Sequence, residues 1–292
     1  NPATAVFAGF EVVEIASTGQ GTLDINALRK HIEGGNVAAL MATVPNTLGV
    51  FEPQIATAAA MLHDKGAFLY MDGANLNAFV GIAQPGKMGV DAIHINLHKT
   101  FSTPHGGGGP GAGPVAVSDS LVPHLPVPVI EKVGDRFEMV TDRPGTIGKV
   151  RGFFGNFGML VRALAYIRSL GRDGLKAMTE GAVLNANYVR AGLEGSYGLK
   201  YTGPSLHEVV FDDSRQSAHG VHNIDIAKRL LDYGFHPPTM SFPLIVHGAL
   251  MIEPTESEGI QELDAFIEAM RAIAREAEED PELLHGAQSA GT

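Results

Sequence analysis

The rest of the chain is organised around the stretch Asp91-Ala92-Ile93-His94-Ile95-Asn96-Leu97-His98-Lys99-Thr100-Phe101, which is followed by a glycine-rich run from Gly106 to Gly113. A short apolar run that ends in polar residues is typical of a buried strand that delivers side chains to the edge of a sheet. The glycines beside it allow the backbone to approach a ligand closely. This setting makes Lys99 a candidate nucleophile.

A second apolar run, from Ala67 to Met71, ends at Asp72. We expect Asp72 at the C-terminal end of a buried strand, where open α/β sheets bind ligands. Pyridoxal 5'-phosphate (PLP) needs both groups, because a lysine holds it as a Schiff base and an aspartate pairs with its pyridinium nitrogen. The sequence therefore indicates a PLP site built on Lys99 and Asp72.

Strand and helix patterns alternate through the first half of the chain. Val37 to Val44 is a continuous apolar run, Ile55 to His63 is Ala-rich and helical, and Pro114 to Val117 is a short apolar run. This alternation predicts an α/β fold with a mostly parallel sheet. Phe10 to Ala16, rich in Val and Ile, predicts one more strand.

The segment from Val122 to Gly145 is rich in proline and polar residues, which predicts a domain transition. We expect a large domain over residues 1–145 and a smaller α+β C-terminal domain over residues 146–292. In the second domain, apolar spacing predicts helices at residues 156–169, 182–193, 224–233 and 259–278, and strands at residues 207–211 and 250–252.

Composition excludes several classes of protein. The formal net charge of −11 argues against nucleic acid and anionic membranes as partners, since both reward clustered Lys and Arg. The chain has 0 cysteines, which excludes disulfides, thiolate catalysis and cysteine-based zinc sites. Without a membrane-length apolar span or a signal peptide, we expect a cytoplasmic protein. The start at Asn1-Pro2 suggests a fragment.

Other motifs near Lys99 give weaker signals. His94 and His98 stand four residues apart, but a strand turning into a loop without a third ligand predicts no metal. His105 to Gly109 is similar to an esterase oxyanion loop, yet the chain lacks Gly-x-Ser-x-Gly. The glycine run also lacks the Gly-Lys-Ser/Thr of a P-loop. It either approaches a phosphate or is a flexible crossing loop.

Many segments, in order, carry a family resemblance. The chain resembles the C-terminal half of the PLP-containing P-protein of the glycine cleavage system, the decarboxylating glycine dehydrogenase, which some organisms make as a separate subunit. The matching segments include Asn1–Ala3, Met71–Asn75, His94–Phe101, Gly106–Gly111, Arg151–Gly158, Asn185–Tyr188, Asp225–Pro238, Phe242–Leu244 and Glu253–Thr255. Other members have an earlier segment that cradles the cofactor phosphate.

The resemblance implies the aspartate-aminotransferase type of fold, PLP fold type I. It implies that Lys99 holds the cofactor and that Asp72 faces its ring nitrogen. Ala74 is expected on one face of the ring. The further candidates are Asn75, His98 and Thr100 for cofactor binding, with His98 also counted beside Lys99 as catalytic.

The resemblance also implies a reaction and partners. Glycine would be decarboxylated, and its aminomethyl group transferred to the lipoyl arm of the H-protein. The N-terminal half, or subunit 1, would complete the site in an oligomer. No Gly-x-Gly-x-x-Gly follows a strand and opens a helix, so we expect no NAD site.

Alternatives remain open. Lys149 and Arg151 could place positive charge over the substrate carboxylate, or they could be ordinary surface charges. Another fold-type-I enzyme, such as a cysteine desulfurase or an aminotransferase, would share Asp72 and Lys99. A catalytically incomplete fragment or structural half of a heteromer is the remaining interpretation.

Overall fold

The computed structural model describes residues 1–152 and 154–287. Its helices are α1 (Pro2–Phe7), α2 (Ile25–Glu33), α3 (Ile55–His63), α4 (Leu97–Thr100), α5 (Phe157–Leu193), α6 (Asn223–Asp232), α7 (Ile260–Glu279) and α8 (Pro281–His285). Its strands are β1 (Ala39–Thr43), β2 (Phe68–Gly73), β3 (Ala92–Ile95), β4 (Val115–Val117), β5 (Val129–Val133), β6 (Arg136–Val140), β7 (Val209–Asp212), β8 (Thr239–Met240) and β9 (Ala249–Ile252). Among the described helices, none is both long and apolar enough to cross a bilayer.

The first half of the chain forms a four-stranded sheet in the order β1-β2-β3-β4. Strands β1, β2 and β3 are parallel, and β4 is antiparallel to β3. The predicted mostly parallel sheet is therefore confirmed. Because parallel strands end at the same edge, the residues after β1, β2 and β3 gather there.

Strand β2 has an apolar face and a polar face. Leu69 and Met71 are buried with Ala58 and Leu62 of α3 in the first hydrophobic core. Alternate side chains of a strand point to opposite faces, so Asp72 lies on the other face. The burial of Leu69 and Met71 thus fixes the direction of Asp72.

The second half packs around an antiparallel sheet in the order β7-β9-β8. Its hydrophobic core includes Leu193 of α5, Phe211 of β7, Leu250 of β9 and Met270 of α7. Two core clusters thus lie in different halves of the chain. They do not decide the domain boundary at residue 145, which stays a prediction.

Helix α5 connects the two halves. Residues 157–193 form one element with a break at Gly171, whose φ of 62° and ψ of −169° are not helical. The N-terminal part packs Ala163 against Leu97 and Phe101, next to Lys99. The two helices predicted at residues 156–169 and 182–193 are therefore the two ends of one longer element.

One secondary-structure expectation was wrong, and one hairpin was not predicted. Residues 10–16 form no strand, because this segment pairs with no described strand and leaves Phe10, Val12 and Val13 exposed. The proline-rich segment from Val122 to Gly145 contains the antiparallel hairpin β5–β6. In that hairpin Ile130 and Phe137 are exposed, so the sequence had no pattern of buried residues from which to predict these strands.

Gly49 is where the loop after β1 meets the second half of the chain. Its carbonyl oxygen accepts a hydrogen bond of 2.7 Å from the Leu206 N–H. Its φ is +73°, and a Cβ atom there would collide with the backbone carbonyl of Glu208. Only glycine fits this contact.

Gly49→Ala should therefore destabilise the fold more than Gly66→Ala, the matched control. Gly66 has the same φ of +73°, but a Cβ atom added there would meet no other atom within 4 Å. Both variants lose about 1–2 kcal/mol to the left-handed backbone. We expect the collision to cost Gly49→Ala at least about 2 kcal/mol more in urea unfolding. Equal losses would contradict the close approach.

Candidate active site

Three polar side chains form a chain of hydrogen bonds on the polar face of β2 and β3. The register places Asp72 opposite His94. His94 Nε2 lies 3.1 Å from Asp72 Oδ1, and His94 Nδ1 lies 2.5 Å from the Tyr70 hydroxyl. We infer that Tyr70 donates to Nδ1 and that Nε2–H donates to Asp72, since a carboxylate only accepts.

Asp72 accepts two further hydrogen bonds. The Ala74 N–H donates to Oδ1 at 2.8 Å, and the Asn1 side-chain amide donates to Oδ2 at 2.6 Å. Partial burial acts to raise the pKa of Asp72, but the hydrogen bonds from His94, Asn1 and Ala74 outweigh it and lower the pKa to about 2. Asp72 is therefore a fixed negative charge at neutral pH.

Lys99 lies on α4, the single helical turn that follows β3. Leu97 and Thr100 are buried on this turn, whereas Lys99 is exposed. Within the described part of the chain, the Lys99 amine has no hydrogen-bond or ion-pair partner. The expected loop at Lys99 is therefore helical, and its apolar side anchors the turn while the amine stays accessible.

Helix α4 depends on contacts from elsewhere in the chain. A helix of four residues has little stability by itself, so tertiary packing must hold it. Ala163 of α5 packs against Leu97 and supplies part of that packing. The position of the Lys99 amine therefore depends on α5, which begins more than fifty residues later in the chain.

Buried polar atoms flank Lys99. Thr100 Oγ1 and His98 Nδ1 are both buried, with no hydrogen-bond partner among the described residues. Burial lowers the pKa of His98, and the nearby His105 and Lys99 lower it further. The His98 ring lies 4.4 Å from the His105 ring, centroid to centroid. His98 is therefore mostly neutral at neutral pH, with hydrogen-bonding capacity left for a ligand.

Ala74 and Asn75 lie just past β2, and the structure gives them different surroundings. Asn75 is 7% exposed, and its amide donates to the carbonyl of Pro45 at 3.0 Å. This amide therefore ties the ends of β1 and β2 together. Ala74 contacts Asp72 through its backbone N–H.

Lys149 and Arg151 lie in the segment between β6 and α5, and both are exposed. Neither makes a hydrogen bond or ion pair with any described residue. The structure does not bring them into contact with Lys99 or Asp72, so their substrate role stays a prediction. The glycine run forms an exposed turn in which the Gly108 N–H donates to His105 Nδ1 at 2.8 Å.

The second half of the chain adds a cluster that the sequence did not reveal. His207 and Glu208 precede β7, and Glu253 follows β9. His207 Nε2 lies 3.7 Å from Glu208 Oε2 and 3.9 Å from Glu253 Oε1. The only local signal was a charged pair directly before the buried strand Val209–Asp212.

The ionisation of this cluster is coupled to the charge of Lys99. The positive charge of Lys99 acts on the pKa of His207, Glu208 and Glu253. The three side chains offer ligand atoms within 4.8 Å of one another, a spacing that could hold a metal ion. The nearby ammonium opposes a cation at that point.

The arrangement combines an accessible primary amine, a fixed carboxylate and buried groups that titrate. An amine can attack a carbonyl carbon, and a carboxylate at the end of a neighbouring strand can hold a positively charged ring nitrogen. These are the two requirements of a PLP site. Their positions at one sheet edge match the place where α/β sheets bind ligands.

Comparison with known proteins identifies two matching family models. The model described as aminotransferase class-V matches residues 2–126, which include Asp72 and Lys99. The model described as glycine dehydrogenase, C-terminal domain, matches residues 178–287. The two models therefore cover both halves of the chain.

Curated relatives match over nearly the whole chain. The probable glycine dehydrogenase (decarboxylating) subunit 2 of Chlorobium phaeovibrioides is 55% identical over 289 residues, or 97% of this chain and 59% of that protein. The probable subunit 2 of Caldanaerobacter subterraneus is 53% identical over 284 residues, 97% of this chain and 58% of that protein. The chain thus spans about three-fifths of the length of these relatives.

Solved structures share the fold. Glycine decarboxylase (P-protein) of the glycine cleavage system, in inhibitor-bound form, has a TM-score of 0.77 at 20% identity, covering 93% of this chain and 61% of that chain. The apo cysteine desulfurase from Thermococcus onnurineus has a TM-score of 0.69 at 20% identity, covering 94% and 68%. The predicted fold class, PLP fold type I, is confirmed.

At 53–55% identity over 97% of its length, the chain matches curated proteins named probable glycine dehydrogenase (decarboxylating) subunit 2. The family prediction from the sequence is therefore confirmed.

The hydrogen bond from His94 should control the ionisation of Asp72. We expect His94→Phe to raise the pKa of Asp72 from about 2, because burial raises this pKa and one of the hydrogen bonds that lower it is then lost. The lowered pKa of Asp72 stabilises the fold at pH values above the ordinary pKa of 3.8, and this stability is lost as the pH falls towards 2. His94→Phe should therefore also be less stable at neutral pH.

Carbon-13 NMR of the Asp72 carboxyl during an acid titration measures this change. His94→Gln is the matched control, because its amide keeps a donor for Asp72. We expect the Gln variant to stay close to the natural chain. An unchanged Asp72 pKa in His94→Phe would show that the other donors suffice.

Proposed function

We propose that this chain carries the cofactor-binding lysine and aspartate of a glycine dehydrogenase that decarboxylates glycine. The observation that carries the proposal is the placement of Lys99 and Asp72 at the ends of the neighbouring parallel strands β3 and β2. Subunit 2 relatives at 52–55% identity, named as decarboxylating glycine dehydrogenases, support the choice of reaction.

The residues present fit PLP. Asp72 keeps its negative charge at neutral pH, and a carboxylate has room for one more donor on Oδ2. The Lys99 amine is exposed, and the buried atoms Thr100 Oγ1 and His98 Nδ1 have unused hydrogen-bonding capacity within the described residues. Lys99 would hold the cofactor covalently, Asp72 its ring nitrogen, and Ala74, Asn75, His98 and Thr100 its surroundings.

When bound, PLP supplies an electron sink for the electron pair left on the α-carbon as carbon dioxide departs from glycine. Asp72 contributes a fixed negative charge that keeps the ring nitrogen protonated. Tyr70 and His94 hold the Asp72 carboxylate in place through their hydrogen bonds. His98, uncharged at neutral pH, can exchange a hydrogen bond with the ligand without adding charge.

The aminomethyl group would pass to the lipoyl arm of an H-protein. The lipoyl disulfide bond would break, one sulfur would bond the aminomethyl carbon, and the other would take a proton. We propose that Lys149 and Arg151, which are exposed cations, attract the glycine carboxylate or the carrier. The cytoplasmic location stays a prediction.

We also propose that a second polypeptide, subunit 1, assembles with this chain in an oligomer. The name "subunit 2" of the relatives supports this. So does the hairpin β5–β6, which leaves Ile130 63% and Phe137 74% exposed. Apolar side chains exposed together mark interaction surfaces.

A cysteine desulfurase is a weaker candidate. Its fold is shared, but the chain has 0 cysteines and so no thiol of its own to receive a sulfur atom. A structural half of a heteromer remains the other alternative, and it predicts that cofactor never attaches to this chain.

Borohydride reduction in the presence of PLP should label Lys99. Reduction fixes the cofactor on the amine that holds it, and peptide mapping by mass spectrometry locates the label. Lys99→Arg should lose it, because a guanidinium does not form the linkage. Lys176→Arg is the control, since Lys176 is a surface residue paired with Glu180.

The trapping is performed on two preparations. The first is this chain alone. The second combines the chain with subunit 1 and with the segments of its relatives that lie outside the matched region. Label on a different lysine, or label that persists in Lys99→Arg, would exclude Lys99. No label in either preparation would favour the structural role.

Exchange of labelled bicarbonate into glycine tests the reaction itself. With the complete assembly and lipoyl H-protein, we expect exchange that falls by at least about a thousandfold in Lys99→Arg. Asp72→Asn should lower it by about a hundredfold or more, because the fixed negative charge is lost.

Lys176→Arg should retain the natural rate. Absence of exchange in the natural assembly, together with sulfide release from cysteine, would instead indicate a desulfurase.

A further inference from the structure

The side chains of His207, Glu208 and Glu253 form a cluster where the second half of the chain meets the first. His207 and Glu208 lie just before β7, and Glu253 directly follows β9. Val209 of β7 pairs with Ile252 of β9, so the residue before one strand meets the residue after the other. The antiparallel register thus brings one imidazole and two carboxylates together.

The ligand atoms of this cluster converge. His207 Nε2 lies 3.7 Å from Glu208 Oε2 and 3.9 Å from Glu253 Oε1, and all three ligand atoms lie within 4.8 Å of one another. Zinc binds nitrogen and oxygen ligands at about 2.0–2.2 Å, so the ligands of a tetrahedral ion stand about 3.4 Å apart. The side chain of Glu253 is 39% exposed and has room to move inward. Small shifts would therefore close the cluster around an ion.

Burial leaves polar atoms of the cluster without partners. The side chain of His207 is 0% exposed and that of Glu208 is 3% exposed. Both ring nitrogens of His207 and Oε1 of Glu208 are buried with no hydrogen-bond partner among the described residues. A buried polar group without a partner costs stability. Three such atoms beside one point call for a ligand that the chain does not supply itself.

The charges of the cluster favour a cation. Two carboxylates out of water repel each other, and a positive ion between them removes that repulsion. The Lys99 ammonium opposes a cation, but it makes no hydrogen bond or ion pair with these three groups in the described chain. Its repulsion therefore acts from further away than the attraction of two carboxylates in direct contact with the ion.

Residues of the first half support the cluster from outside. The Asn77 amide donates a hydrogen bond of 3.0 Å to Glu253 Oε1, which orients this carboxylate. Asn77 Oδ1 is also buried without a partner among the described residues, so a further oxygen lies beside the cluster. The backbone of Glu208 lies so close to Gly49 that a Cβ atom there would collide with its carbonyl. The cluster therefore sits at a contact between the halves.

We propose that His207, Glu208 and Glu253 bind one divalent transition-metal ion, with zinc as the best fit, and that this ion fastens the second half of the chain to the first. An imidazole nitrogen with carboxylate oxygens suits zinc, whereas magnesium and calcium prefer oxygen ligands alone. The proposal goes beyond the proposed function, because it requires neither PLP nor Lys99.

Metal binding would displace a proton from the cluster. Burial raises the pKa of Glu208 to about 8, so this carboxyl group holds a proton at neutral pH in the metal-free chain. On binding, the O–H bond breaks, the proton passes to water, and the carboxylate oxygen bonds the ion. No electron is transferred in this exchange.

A zinc titration of the full chain tests the site. After treatment with a chelator, zinc chloride is added in a calorimeter without PLP, and we expect one equivalent to bind. Glu208→Gln and Glu253→Gln should each weaken binding by at least about a hundredfold, since loss of a ligand costs more than loss of an outer-shell partner. Magnesium chloride should bind the natural chain at least about a hundredfold more weakly than zinc.

Glu258→Gln is the matched control. Glu258 lies in the same loop after β9 as Glu253, but it is exposed and outside the cluster. This variant should bind zinc as the natural chain does. Added zinc should also raise the midpoint of thermal unfolding of the natural chain and of Glu258→Gln, but not that of the two ligand variants. No saturable binding, or equal binding in all variants, would overturn the proposal.

Crystals of the natural chain grown with zinc locate the ion without any variant. Anomalous scattering at the zinc absorption edge should place the ion about 2.0–2.2 Å from His207 Nε2 and from one oxygen of each glutamate. Density for zinc only at other positions would overturn the site, even where a ligand variant fails to fold. PLP label on Lys99 without zinc binding would leave the proposed function intact, and zinc binding without that label would leave only the metal site.

Discussion

The register of β2 against β3 is the constraint on which the site depends. The pairing of Asp72 with His94 puts two polar side chains on one face of the sheet and leaves Leu69 and Met71 on the other. A slip of one residue would turn every side chain to the opposite face. The apolar contacts of Leu69 and Met71 with α3 prevent that slip, so packing on one face secures the chemistry on the other.

Local patterns in the sequence predicted much of the first half. The runs before Asp72 and Lys99 were long and apolar enough to indicate buried strands. At the start of α2, the Asp24 side chain accepts hydrogen bonds from the N–H groups of Asn26 and Ala27 and so caps the helix. The segment at residues 10–16 has a similar composition but no partner strand among the described residues. Composition indicates whether a segment can form a strand, whereas strand pairing depends on a second segment being in place beside it.

The cluster of His207, Glu208 and Glu253 could not be predicted in the same way. His207 and Glu253 lie more than a hundred residues after Lys99, and no spacing rule relates them. Their meeting depends on the antiparallel register of β7 with β9 and on the close approach at Gly49. Family resemblance pointed to Glu253 only as part of a matching segment, without a role.

The site contains two carboxyl groups in opposite states. Hydrogen-bond donors lower the pKa of Asp72 to about 2, whereas burial raises the pKa of Glu208 to about 8. Environments that separate two pKa values in this way assign different roles to chemically similar groups. Asp72 can serve as a constant charge because its donors remain in place. Burial, rather than a set of fixed donors, dominates the state of Glu208, so this carboxyl group is protonated at neutral pH.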